Sequence, residues 1–291
     1  MSIFADYGPI VKENEPMSRH TWYRLGGPAR YFITPRNEAE LGEVLARCRE
    51  NSVPAFVLGG GANLLVADEG VAGAVIRLGG EFLKTEIDGQ IVTAGAGADI
   101  SKLTLRCVRE GLGGMECLTG IPGSVGGSVK MNAGGAFGDI GSIIRRVRLM
   151  DATGAAYLAE RDDLVFAYRS TNLTAKFILS ATFELAPEDP EEILKKVKEI
   201  WFFKKNSQPL SAKSAGCVFK NPRQMSAGAL IDQAGLKGAE VGGAVVSEKH
   251  ANFIIAREGC KSAEVLKLID IIRRRVHERF SVPLELELEI W

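Results

Sequence analysis

The chain has no excess of charge of either sign. It carries 36 lysines and arginines against 36 aspartates and glutamates in 291 residues. Without a net basic field, nothing recruits nucleic acid or an anionic membrane. Histidine is scarce: only His20, His250 and His277 occur, far apart in sequence. The five cysteines, Cys48, Cys107, Cys117, Cys217 and Cys260, are scattered and show no CxxC spacing. That pattern gives no ligand set for a metal and no disulfide framework, and it fits reduced thiols in a cytoplasm. No run of 18 apolar residues is present to span a bilayer. The opening segment MSIFADYGPIVKENEP lacks the basic start and apolar core of a secretion signal. There is no internal repeat and no low-complexity tract. Nothing in the sequence speaks to protein partners.

Glycine, by contrast, is concentrated. The stretch from Gly111 to Gly141, GLGGMECLTGIPGSVGGSVKMNAGGAFGDIG, holds 11 of the 33 glycines in 31 residues. A surface loop would tolerate this, but a long loop inside a compact domain is usually functional or disordered. Met115, Leu118, Ile121, Val125, Val129, Met131 and Phe137 are interleaved at buriable positions, which argues against disorder. Backbone N–H groups exposed by glycine turns form anion-binding concavities, and a diphosphate is a common guest. A second such loop, GGGANLLV from Gly59 to Val66, follows a short apolar strand at 55–58. It lacks the third glycine and the following helix of a dinucleotide fingerprint. One glycine would serve a turn; three in a row suggest close approach of a ligand.

The rest of the chain alternates helical and extended patterns. Asn37 predicts an N-cap for a helix to Glu50, with Glu40 completing a capping box. Asp99 caps a second helix through Glu110, and Gly111 stops it. Asp88-Gly89 and Asp151-Ala-Thr-Gly signal hairpins, and 177–185 reads as a strand. Asp189-Pro190 opens a helix to about Lys205. The polar stretch 206–214 is the best domain boundary. Beyond it, Ser226 caps a short helix, 242–246 and 250–255 read as strands, and 262–280 forms an amphipathic helix. The chain closes on PLELELEIW, a strict period-two strand. The pattern predicts an α+β fold and not a doubly wound parallel sheet.

Several stretches resemble one family when taken together and in order: GGGANLLVADEG, GIPGSVGGSVKMNAGGAFG, FAYRST, AGCVFKNP, AGALIDQAGLKG, GGAVVSEKHANFII and the closing strand. They are similar to the UDP-N-acetylenolpyruvoylglucosamine reductase (MurB) family, in its shorter form without an extra tyrosine-bearing loop. The resemblance implies an FAD-binding domain of the vanillyl-alcohol-oxidase type over residues 1–205, in two α+β subdomains. A smaller α+β substrate-binding domain follows over 206–291, with a return of the last strand, about 284–291, to the FAD domain as an alternative. It implies FAD as cofactor, NADPH as reductant and the enolpyruvyl ether of a UDP-sugar as substrate, in bacterial peptidoglycan synthesis. Another FAD-linked oxidoreductase of the same fold, or a non-catalytic flavin or nucleotide-sugar binder, are the alternatives.

The resemblance also assigns residues. Arg169, in FAYRST, matches the arginine that meets the substrate carboxylate, which suits a planar, always-charged guanidinium; Tyr168 beside it touches substrate or packs. Cys217, in AGCVFKNP, stands where the family carries its proton-donating serine. A free thiol titrates at about 8.5 and is a competent acid at neutral pH. Asn221 matches a substrate-binding asparagine. Phe280, Val282 and Leu284 set a register that selects Glu287 as the catalytic glutamate, with Glu289 chosen if the register slides by two. Flavin contacts fall on Gly59, Gly60, Gly61, Ala62, Asn63 and Leu64, and on Gly120, Ile121, Pro122, Gly123, Ser124 and Gly127. His20 and His250 receive no catalytic role, and no residue is assigned to a metal.

Overall fold

The computed structural model describes residues 3–223 and 225–291. The chain forms two units. Met1–Glu13, Tyr31–Gly60 and Gly73–Phe203 make the first, and Asn14–Arg30, Gly61–Ala72 and Lys204–Trp291 the second. A boundary near residue 205 is therefore one of five places where the chain passes between units.

The first unit is built on a five-stranded sheet in the order Ala156–Glu160, Ile144–Met150, Phe177–Glu184, Ile91–Gly95, Thr85–Asp88. Every neighbouring pair in it is antiparallel. Helices α1 (Glu38–Glu50), α2 (Ile100–Arg109), α3 (Val125–Lys130) and α4 (Pro190–Ser207) follow in chain order. One core gathers Ile100, Leu103 and Cys107 of α2, Val125 and Val129 of α3, and Val92, Val147, Ala181 and Phe183 of the sheet. A second core joins Leu41, Val44, Leu45 and Cys48 of α1 to Ala74 and Ile76, beneath the parallel pair Ala55–Leu58 and 74–77. These are the residues that the 3.6-residue and two-residue periodicities place on one face.

The capping predictions hold in part. Asn37 accepts from the Glu40 N–H at 2.9 Å. The Glu40 carboxylate does not return to Asn37; it takes the Arg36 N–H at 2.7 Å and the Arg36 guanidinium. A bidentate charged partner outcompetes a single neutral N–H, so the reciprocal box is replaced by a one-sided cap. Asp99 accepts from the Lys102 N–H at 2.9 Å, and Gly111 ends α2 with φ +67°. At the first hairpin Asp88 pairs with Ile91, so the turn itself is Gly89-Gln90.

The second unit packs α5 (Ala227–Gln233) and α6 (Ser262–Phe280) with a three-stranded antiparallel sheet, Glu240–Val241, Ala244–Val246 and Ile254–Ala256. Its core includes Leu268, Ile269, Ile272 and Val276 of α6, with Tyr23 and Leu65. The strand expected at 250–255 starts later, because residues 250–253 form a turn closed by Phe253 N–H on His250 O at 2.9 Å. The closing segment is not one uniform strand. Leu286 bridges Phe219 in antiparallel fashion, and only Glu289–Ile290 forms a ladder, parallel to Leu64–Leu65.

Candidate active site

Within the first unit the two glycine loops lie side by side. A Cβ placed on Gly60 would sit 2.6 Å from Gly123 Cα, and one on Gly59 would sit 2.7 Å from Ser124 Oγ. Gly61, in the second unit, has φ +64°, and a Cβ there would collide with the His20 carbonyl oxygen. The Trp22 N–H also donates to Gly61 O at 3.0 Å. Close approach of a ligand was the expected reason for this triple glycine. The structure supplies another: each of the three is pressed against the chain itself.

Gly123 behaves differently. Its φ is +139°, and nothing lies within 4 Å of the place a Cβ would occupy. Among the described residues, the N–H groups of Gly123 and Ser124 have no hydrogen-bond acceptor, while Gly123 O accepts from Ile100 N–H at 3.2 Å. An open face edged by unspent backbone donors suits a diphosphate, so the loop fits FAD. Ser124 is 6% exposed, and its hydroxyl oxygen accepts from the Gly127 N–H at 3.3 Å, capping α3. The serine expected to contact the cofactor thus also fixes the helix that follows the loop. Gly120 has φ +70°, and Ile121 and Pro122 are half-buried beside it.

Tyr168 and Arg169 form the tip of a tight hairpin, in which Phe166–Ala167 pairs with Ser170–Thr171. Arg169 has φ +52°, a left-handed conformation that is uncommon outside glycine and costs roughly 1–3 kcal/mol. Its Nη2 donates to Gly134 O at 2.9 Å, and its guanidinium lies 5.1 Å from the Tyr168 ring. Backbone strain and a fixed fork together aim this side chain.

In the second unit, Cys217 and Glu287 lie on adjoining backbone. The Glu287 N–H donates to Val218 O at 2.9 Å, one residue from Cys217. The Asn63 side chain donates to Glu287 O at 2.8 Å, and Asn63 O accepts from Glu289 N–H at 3.2 Å. Asn63 therefore ties its loop to the closing segment, while Ala62 is half-buried and Leu64 lies in the parallel ladder. Of the three glutamates, Glu285 and Glu289 are exposed and Glu287 is half-buried. Glu285 is also paired with Lys220 at 2.5 Å. Cys217 is half-buried, unlike the other four cysteines. Burial pushes the thiols of Cys48, Cys107 and Cys260 up to about 11. Asn221 accepts the Ala227 N–H at 3.0 Å through Oδ1, so part of its carboxamide holds the turn into α5.

Two asparagines escaped the sequence reading. Asn252, 2% exposed, brackets the segment that follows Cys217: Oδ1 accepts from Phe219 N–H at 3.0 Å and Nδ2 donates to Phe219 O at 2.8 Å. Asn132, 3% exposed, sits between α3 and the Arg169 hairpin. Neither carries a sequence signal beyond lying inside a motif.

Comparison with known proteins agrees with this arrangement. Residues 29–157 match the FAD binding domain family, and residues 208–291 match the C-terminal domain of UDP-N-acetylenolpyruvoylglucosamine reductase. A UDP-N-acetylenolpyruvoylglucosamine reductase of Heliobacterium modesticaldum is 43% identical over 99% of this chain and 93% of its own. The chain belongs to the UDP-N-acetylenolpyruvoylglucosamine reductase family. The Bacillus subtilis member is 36% identical over 96% of this chain and 93% of its own. The crystal structure of the reductase from Thermus caldophilus superposes with a TM-score of 0.84 at 41% identity, covering 96% of this chain and 98% of that one. The family expected from the motifs is thus the family found. So is the fold, an α+β FAD-binding domain followed by a smaller α+β domain. No described helix is long and apolar enough to cross a membrane.

Proposed function

We propose that this chain carries out the reaction of its family, the NADPH-dependent reduction of UDP-N-acetylglucosamine enolpyruvate to UDP-N-acetylmuramate for peptidoglycan synthesis in the cytoplasm. Residues 1–205 serve mainly the flavin and 206–291 mainly the substrate. Bound FAD would supply the hydride for the terminal methylene carbon of the enolpyruvyl group, with NADPH as its reductant.

The chain's own work is placement and charge. Backbone N–H groups of Gly123 and Ser124 would hold the diphosphate, with Gly127 in the first turn of α3 behind them and Gly59 and Gly60 walling the loop. Arg169 meets the enolpyruvyl carboxylate, on which negative charge grows as the double bond is reduced. A guanidinium carries five N–H donors in a planar fork, a geometry matched to a carboxylate. Such preorganised donors are worth most where charge develops. Cys217 delivers its Sγ proton to the carbon next to that carboxylate. Glu287, on the adjoining segment, orients and polarises the substrate end of the site. Tyr168 and Asn221 contact the substrate.

The observation that carries this reading is the juxtaposition of Cys217 and Glu287 through the Glu287 N–H on Val218 O. The thiol and the carboxylate belong to segments 70 residues apart whose backbones are joined there. The test is NADPH consumption by the FAD-loaded protein with and without the enolpyruvyl UDP-sugar. Consumption that depends on the sugar supports the reading. Equal consumption in its absence, or none with it, contradicts it.

A further inference from the structure

Immediately after α3 the chain reverses through Met131-Asn132-Ala133 into Gly134–Gly135. Asn132 is buried and left-handed, φ +43°. Its carboxamide is used at both ends: Nδ2 donates to Ala167 O at 3.0 Å, and Oδ1 accepts from Gly141 N–H at 3.0 Å. Gly141 has no room for a side chain, since a Cβ there would lie 2.5 Å from Phe166 Cγ. One amide group thus joins the base of the Arg169 hairpin to the segment on which Phe166 rests.

Three further ties run between the same two stretches. Lys130 Nζ donates to Leu173 O at 2.6 Å, Thr171 Oγ1 donates to Lys130 O at 3.2 Å, and Arg169 Nη2 donates to Gly134 O. The hairpin is therefore held to residues 130–134 by bonds that each use a side chain. Of these, the Asn132 bond reaches the backbone of Ala167, the residue that pairs with Ser170 across the turn, and it comes from a side chain that is itself buried. Residues 130–134 are also the direct continuation of the loop and helix assigned to the flavin.

We propose that Asn132 is a positioning residue for substrate reduction: its carboxamide sets the Arg169 hairpin relative to the Gly120–Gly127 loop, so that the guanidinium is aimed at the carboxylate. This rests on the assignment of Arg169 above. Arg169 occupies a strained backbone conformation, and such a conformation persists only when its surroundings over-determine it. Losing the Ala167 tie lets the tip relax.

Asn132→Asp isolates the effect. Asp keeps the shape, tolerates left-handed φ and still accepts from Gly141, but it turns an oxygen toward Ala167 O. In the FAD-loaded variant the buried carboxylate should lower the melting temperature, but flavin content and reduction by NADPH should match wild type. Binding of the enolpyruvyl UDP-sugar to the oxidised enzyme should weaken, and its reduction should slow by roughly 10–100-fold, the scale of a small misplacement of a catalytic group. Combined with Arg169→Lys, Asn132→Asp should add little, since both act through one guanidinium. If Asp prevents folding, Asn132→Gly keeps the left-handed backbone accessible and carries the same expectation. Wild-type substrate reduction in these variants, equal loss of both half-reactions, or full additivity with Arg169→Lys overturns the proposal. If Arg169→Lys alone leaves substrate reduction intact, the assignment of Arg169 fails and the positioning role fails with it.

Discussion

At the scale of single residues, glycine and arginine are used for different reasons within one site. Gly60 is needed because Gly123 lies against it, whereas Gly123 is needed for its own φ and has open space beside it. The two should therefore respond differently to a methyl group. Gly60→Ala overpacks two backbones, an effect costing roughly 1–3 kcal/mol, and should separate the loops. Gly123→Ala strains φ alone. We expect FAD to be released from both variants, with the melting temperature of the flavin-free protein falling further for Gly60→Ala. Titration of FAD into each apoprotein, with its melting curve, checks this; equal melting temperatures would count against the packing role of Gly60. Arg169→Lys keeps the charge and loses the fork. Substrate reduction should fall by roughly 2–4 kcal/mol in barrier, as for removal of a transition-state donor, while reduction of the flavin by NADPH is spared. Stopped-flow measurement of the two halves separates these outcomes, and equal loss in both contradicts the assignment.

At the scale of elements, what the sequence made legible was what local chemistry decides. The N-cap at Asn37, the stop at Gly111 and the buried stripe of α6 are each set by residues within a turn or two, and each stands as expected. The capping box failed because Arg36, one residue outside the pattern, offers Glu40 a stronger partner. The chain packing of the triple glycine at Gly59–Gly61 was not legible, because its neighbours, Ser124, Gly123 and His20, are distant in sequence. The closing strand was legible as alternation but not as pairing. Its partners, Phe219 and Leu64–Leu65, are non-local, and period two alone cannot say which glutamate meets them. The family motif carried the site residues themselves; no periodicity would have found Cys217 or Arg169. Of the three glutamates, Glu287 is half-buried, with its N–H on Val218 O, while Glu285 and Glu289 are exposed. Glu287→Gln should impair substrate reduction severely, while Glu285→Gln and Glu289→Gln have mild effects. Three similar outcomes would return all three to a solvated face, and a severe loss at Glu289 alone would shift the register by one dipeptide.

At the scale of the whole molecule, stability responds to pH through a histidine that the proposed chemistry does not use. His250 is held below its ordinary value chiefly by burial. It accepts the Asn252 N–H through Nδ1 at 3.3 Å and stacks edge-on against Phe253. The folded chain therefore keeps this ring neutral where the unfolded chain protonates it. The unfolded state binds more protons as pH falls from the ordinary histidine value of about 6.5 toward the lower folded one, so stability is lost in that window. His250→Asn should make the unfolding free energy depend less steeply on pH there, as denaturant titrations at a series of pH values will show. An unchanged slope would mean that the ring is not buried as a neutral group. This is the structural role expected of a histidine outside the chemistry.

The central claim for the molecule is that one chain binds FAD through its glycine loops and protonates the substrate carbon from Cys217. Rapid-mixing oxidation of the reduced, FAD-loaded enzyme by the enolpyruvyl UDP-sugar tests it most directly, in wild type, Cys217→Ser and Cys217→Ala. Serine restores the family's usual donor and should keep substantial activity. Alanine should slow the step by roughly 10²–10⁴-fold, the scale of general acid catalysis, with reduction by NADPH nearly untouched. An alanine variant that oxidises its flavin and releases product as fast as wild type would contradict the claim, making Cys217 a packing residue and moving the proton to another donor.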